Sequence, residues 1–213
     1  MLTARTAKFI INMLYWTSPY RWLDEWQKRL EQKAKKSGKD WRKIRQRRYW
    51  ITDVYFIGWL GFAILCLVLH KWLPMFLAYV LMLRVVGILN KELGVVLFGI
   101  CKITEGKGVS SSGRVIVNAL CNYLTAALLF AFLYNKSGSY QIDATTTVSP
   151  LPIQYAVAQA FSVHFTLAPA YAPTDPRTWL LTTGQAAFCF LFGAIILSLF
   201  VSLVSLKPTL EDE

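Results

Sequence analysis

Apolar residues gather in four windows long enough to cross a bilayer: Ile51 to His70, Pro74 to about Cys101, Arg114 to Tyr134, and Thr178 to Leu206. A spanning helix needs about 20 mostly apolar residues, and each window supplies them. Tyr55, Trp59 and Trp72 lie toward the ends of the first window, where aromatic rings favour the membrane–water interface. Pro74 suits a first helical turn, and Arg84 and Asn90-Lys91-Glu92 interrupt the window it opens. The fourth window is long enough to tilt through the bilayer or project beyond it. A further apolar run, Ile153 to Leu167, is too short to cross and return, and a single crossing would move the acidic tail to the other side. It reads as a re-entrant helix, ended by the prolines of Ala168–Thr174. Irregular backbone at membrane depth must be shielded by protein or line a wet cavity. The pattern therefore predicts an all-α, polytopic membrane bundle of four transmembrane helices, with a re-entrant pore-like helix between the third and fourth.

Composition sharpens this picture. The chain is 55% hydrophobic and only 16% charged, against about 25% charge in ordinary soluble domains. Of its 23 Lys and Arg residues, 14 precede residue 49. Arg42, Lys43, Arg45, Arg47 and Arg48 stand just before the first window, so the positive-inside rule places the N-terminus in the cytoplasm. Four spans would return the C-terminus there and leave Asn135–Arg177 outside. The expected organisation is a basic amphipathic arm (1–50), a peripheral helix pair with its loop (51–113), a second membrane module (114–206) and an acidic tail (207–213). The first apolar stretch, Phe9 to Trp16, lacks the small-residue cleavage site of a secretory signal.

In the arm, Trp22, Trp26 and Leu30 recur at helical spacing, Glu25 and Arg29 form a favourable i,i+4 pair, and Ser37-Gly38 should break this helix before a short second one from Asp40. A basic helix with Trp on one face fits a membrane surface rich in anionic lipid. Trp22, Trp26, Arg42, Lys43, Arg45, Arg47 and Arg48 are thus candidate contacts to lipid or a cytosolic protein. Nucleic acid is a third option for such a pattern, disfavoured by the position next to a span.

Within the second and third windows, Arg84, Asn90, Lys91, Glu92, Asn118 and Asn122 form a candidate polar seam. An ionised side chain at mid-bilayer costs about 2.5–3.5 kcal/mol on insertion scales, so Arg84 should face protein or water. Counting from the shared loop puts Glu92 and Asn122 at similar depth, able to bond across the helix interface. Such a seam fixes packing or, on the alternative reading, serves an ion path or sensor.

Candidate catalysis is absent from the pattern. Only His70 and His164 are available, carboxylates are scattered, and no phosphate-cradling loop or nucleophile elbow occurs. Cys66, Cys101, Cys121 and Cys189 lack metal-site spacing and read as small buried hydrophobes. No enzyme activity, metal or cofactor is expected. Ser198, Ser202 and Ser205 fall on one stripe of the last window, suited to close packing or to lining a vestibule. His164 reads as a packing histidine or a pH-responsive group.

Residues 114–206 resemble the pore module of two-transmembrane, potassium-channel-like proteins. The resemblance rests on Phe161-Ser162-Val163-His164-Phe165-Thr166-Leu167, on Pro173-Thr174, and on Gln185 and Gly193 in the last window. It implies a pore helix, a filter loop at Thr166, Leu167, Ala168, Pro169, Ala170 and Tyr171, an inner helix with a bend at Gly193, and a homo-oligomer, a tetramer by analogy. The Gly-Tyr-Gly core is missing, and with it the backbone that aligns carbonyls along a potassium path. The resulting expectation is an ion-conducting pore without a potassium filter in a bacterial inner membrane. The alternative is a non-conducting sensor or scaffold subunit that recruits a cytosolic partner, for example in a bacterial defence or stress system.

Overall fold

The computed structural model describes residues 19–38, 40–98 and 109–204, together with residues 6, 9 and 13. Helix α1 (Pro19–Lys36) ends where Gly38 adopts φ +68°, a left-handed conformation that closes helices at little steric cost in glycine. Asp40 then accepts a hydrogen bond from the Arg42 amide and starts α2 (Trp41–Val68). The sequence suggests a short helix here. The structure instead runs one 28-residue helix through the basic segment into the apolar one. Arg, Lys and Gln are good helix formers, and neither Gly nor Pro interrupts the chain before Gly58.

Next come α3 (Met75–Phe98) and α4 (Val109–Lys136). Beyond α4 the chain forms β1 (Tyr140–Gln141), β2 (Thr147–Val148), α5 (Ile153–Thr166), β3 (Ala172–Pro173) and α6 (Pro176–Val204). The three short strands form an antiparallel sheet in the order β2-β1-β3, with Tyr140 opposite both Val148 and Pro173.

Among the described residues three helices, not four, are long and apolar enough to cross a membrane: α2 over Arg42–Val68, α4 over Ile116–Lys136, and α6 over Pro176–Ser198. The predicted second span fails this test because α3 carries three ionisable side chains, Arg84, Lys91 and Glu92. Of the three, α4 is the hub: 56% of its most apolar stretch is buried, against 17% in α2 and 33% in α6. Its buried residues Ala126, Leu129, Phe130 and Leu133 join Ala63 and Cys66 of α2, Ala78 and Leu81 of α3, and Phe188 and Phe192 of α6 in one core. Lys136 donates to the His70 carbonyl, fastening the end of α4 to the chain just beyond α2.

The re-entrant pore helix is also overturned. Helix α5 exists over Ile153–Thr166, but the chain leaving it does not form a free loop. Leu167 takes a left-handed turn at φ 58°, and Ala172–Pro173 returns to pair with β1. The segment is a helix closed by a small sheet on the end of α4. Asn135 donates to the Leu151 carbonyl, and the Leu151 amide donates to the Tyr134 carbonyl. Tyr140 is fully buried edge-on against Tyr134, with ring centroids 5.7 Å apart. Gly138 makes this approach possible, since a Cβ there would lie 2.6 Å from the Tyr140 hydroxyl and its φ is +97°.

Candidate functional site

Two polar constellations cross the apolar core, and both converge on α4. The first belongs to α3. Eight residues, about 12 Å of helix rise, separate Arg84 from Glu92, too far for a direct pair. Asn122 of α4 bridges them: its Oδ1 accepts from Arg84 Nη2 at 3.3 Å, and its Nδ2 donates to Glu92 Oε1 at 3.0 Å. The amide dipole thus presents oxygen to the cation and nitrogen to the anion. Lys91 Nζ lies 3.3 Å from the same Glu92 oxygen. Glu92, Asn122 and Asn90 are all buried.

The cations are held from a third helix as well. The Arg84 guanidinium stacks over Tyr55 at 5.1 Å and Trp59 at 5.0 Å, and Lys91 Nζ sits 4.1 Å from the Phe56 ring centroid. Cation–π contacts contribute about 0.5–1 kcal/mol in water and 2 or more when desolvated. Tyr55 and Trp59, which the sequence suggests as interface anchors, therefore also hold Arg84. Arg84 Nε has no partner among the described residues. Asn118 is half-buried one turn before Asn122 and makes none of these bonds.

The second constellation locks α5 between α4 and α6. His164 Nε2 faces the Tyr123 carbonyl at 2.9 Å, which requires the proton on that nitrogen. Nδ1 is then the acceptor, 3.1 Å from Cys189 Sγ and 3.4 Å from Gln185 Nε2. Tyr123 returns a bond from its hydroxyl to the His164 carbonyl at 2.6 Å. Gln185 accepts from the Tyr134 hydroxyl at 2.6 Å and donates to the Ala160 carbonyl at 2.8 Å. Gln185, suggested by position in the resemblance, is thus a buried connector of three helices. Cys189, read as a plain hydrophobe, is beside the imidazole.

The suggested filter residues are placed differently. Gln159, fully buried in α5, accepts from the Tyr171 amide at 2.7 Å and donates to the Tyr171 carbonyl at 3.2 Å. Thr166 is exposed and donates to the Ser162 carbonyl at 2.7 Å, while Ser162 donates to the Ala168 carbonyl at 2.9 Å. Leu167, Ala168, Pro169 and Ala170 are exposed. The Gln159 clamp escapes sequence reading because an apolar helix hides one Gln, and its partner is a backbone twelve residues away.

At the start of α6, Asp175 accepts from the Arg177 and Thr178 amides and from the Thr178 hydroxyl. These bonds, that of the Thr178 side chain foremost, hold its carboxyl below the usual carboxylate range. Gly193 and Ser198 are exposed, and Ser198 donates to the Ala194 carbonyl within its own helix. The Ser202 side chain and all of Ser205 lie outside the described residues, as do the Arg45 side chain and the 207–213 tail.

The arm docks through its polar side. Gln27, Glu31 and Ala34 of α1 are buried, and Glu31 holds Lys35 at 3.3 Å and Arg48 of α2 at 3.5 Å. Trp22 and Trp26 point outward, 63% and 53% exposed. Lys43 pairs with Asp40 at 3.8 Å, and Arg42 and Arg47 are exposed.

Three apolar helices of spanning length, α2, α4 and α6, with a charged seam tying α3 to α2 and α4, define a polytopic helical membrane protein. No family model, curated protein or solved structure matches the chain, so nothing ties residues 114–206 to a potassium-channel pore module.

Proposed function

We propose that the chain is a non-conducting membrane scaffold whose basic arm lies on an anionic, cytoplasmic membrane face and presents a docking surface to a soluble partner. One observation carries this reading: α1 turns two tryptophans outward, away from the face that packs on the protein. It buries Gln27 and Glu31 against the protein and exposes Trp22 and Trp26 together with Arg29 and Lys33. Those four share one side of the helix at the spacing i, i+4, i+7, i+11. Such a face stabilises only where aromatic rings meet headgroups and cations meet anionic lipid, at about 1 kcal/mol per basic residue near the surface. The five basic residues Arg42–Arg48 before the apolar part of α2 support a cytoplasmic arm.

Brominated acyl chains test the placement. In nanodiscs, the fluorescence contributed by Trp22 and Trp26 is the difference between the native chain and the Trp22→Phe/Trp26→Phe variant. It should be quenched by brominated phosphatidylglycerol, and less by brominated phosphatidylcholine. A difference signal unquenched in both lipids sinks the placement. For docking, removal of residues 1–38 should abolish co-purification of a soluble partner from native membranes. Retention by the shortened chain would show that the arm is not the docking surface.

A further inference from the structure

The exposed side of α2 combines an apolar groove with a cationic end, and the two lie in register. The groove, about 430 Å³ and open to the surroundings, is lined by Val54, Tyr55, Gly58, Trp59 and Phe62. Its floor is Gly58, where an added Cβ would meet nothing within 4 Å. Its Tyr55 and Trp59 walls are propped by the Arg84 guanidinium, which does not line the groove, so the cleft is held open by the seam.

Along the same helix toward its N-terminus stand Trp50, 65% exposed, then Arg47 and Lys43, both exposed. The spacing 43, 47, 50, 54, 58 follows one helical face. At 1.5 Å per residue, the groove from Val54 to Phe62 runs from about 6 to about 18 Å beyond Trp50. That is the depth of one leaflet of a hydrocarbon core about 30 Å thick. Arg47 lies about 5 Å on the other side of Trp50, at headgroup level.

We infer that this face is a binding site for one anionic phospholipid, its phosphate held by Lys43 and Arg47 and an acyl chain laid over Gly58 between Val54, Trp59 and Phe62. Charge complementarity selects this occupant over a second copy of the chain. A helix from another copy would fill the apolar groove but would leave the cations at its mouth facing a segment with the same excess of positive charge. The site is distinct from the Trp22/Trp26 face of α1.

Native mass spectrometry of the full chain, stripped of endogenous lipid in detergent and titrated with phosphatidylglycerol or phosphatidylcholine of identical acyl chains, tests the inference. One phosphatidylglycerol should be retained at least tenfold better than phosphatidylcholine. Lys43→Gln/Arg47→Gln, which removes two exposed cations and with them only the exposed Lys43–Asp40 pair, should bring phosphatidylglycerol down to the phosphatidylcholine level. Gly58→Leu should lower retention of both lipids by filling the floor. Trp22→Phe/Trp26→Phe should leave retention unchanged, which separates failure here from failure of the arm placement. Equal retention of the two lipids by the native chain overturns the site, as does a preference that survives the Lys43/Arg47 double change. A lipid-free dimer that Gly58→Leu dissociates would assign the groove to a second copy instead.

Discussion

Asn122 does for Arg84 what no residue on α3 itself can. Its amide spans the gap between a half-buried cation and a buried carboxylate two helical turns apart, turning two costly charges into one relay. Individual interhelical hydrogen bonds in membranes average about 0.6 kcal/mol, so the bonds alone would be a modest matter. Leaving a buried charge uncompensated costs about 3–5 kcal/mol. Asn122→Leu removes both bonds, but Lys91 still pairs with Glu92 and the Tyr55 and Trp59 rings still hold Arg84, so its loss should stay below that figure, at about 1–3 kcal/mol in thermal or denaturant unfolding. Glu92→Gln keeps an acceptor for Asn122 and should lose less. In the Asn122→Leu background, Arg84→Met should cost less than in the native chain, because its bond to Asn122 is already gone. Additive losses would mean that Asn122 and Arg84 are energetically independent.

Asp175 shows how one helix start organises an element. Its carboxylate satisfies the first amides of α6 and the Thr178 hydroxyl, and Thr178 in turn accepts from the Ser139 amide beside β1. Because these bonds favour the ionised form, the folded carboxyl titrates below its ordinary value of 3.8. The stabilisation is complete well above 3.8 and is lost as pH falls through the lower, folded value. Protection of the Ser139 and Thr178 amides, measured as exchange relative to the intrinsic rate at each pH, should therefore fall in acid in the native chain. In Asp175→Ala this protection should already be low at neutral pH, with no further step from this group. An unchanged acid step in that variant would place the titrating group elsewhere. The same element marks the reach of sequence reading. Helix α5 is legible in the apolar run from Ile153, and Pro169 and Pro173 announce its end. Its closure into a sheet is not legible, because two-residue strands carry no alternating pattern and the β1–β3 pairing joins residues more than thirty apart. Depth counting brings Glu92 and Asn122 together on paper and the structure brings them together in space. The role of Tyr55 and Trp59 in holding Arg84 is hidden, since an aromatic ring at a span's end has an interfacial explanation already.

At the scale of the molecule, the charged seam and the α5 lock meet on α4, and the exposed surfaces are left to lipid. Trp50 near one end of α2, Trp72 beyond its other end and Trp179 in the first turn of α6 are exposed rings of the kind that settle at membrane interfaces. Between Trp50 and Val68 the helix rises about 27 Å, close to the thickness of a hydrocarbon core. A conducting ring of such chains would need carbonyls free to replace an ion's water shell. Here the Tyr171 carbonyl is taken by Gln159, the Ala168 carbonyl by Ser162, and Ala172–Pro173 by the sheet. Freeing them would mean abandoning the buried amide of Gln159, at about 1–3 kcal/mol for each polar group left unsatisfied. Purified chain in planar bilayers of phosphatidylglycerol and phosphatidylcholine should therefore show no protein-dependent current steps across ±100 mV. Gln159→Leu, which releases Tyr171, is the variant in which leak should first appear if this clamp is what keeps the segment closed. Discrete, ion-selective steps from the native chain would overturn the scaffold reading, and their abolition by Tyr171→Ala would locate the path along the segment between α5 and β3.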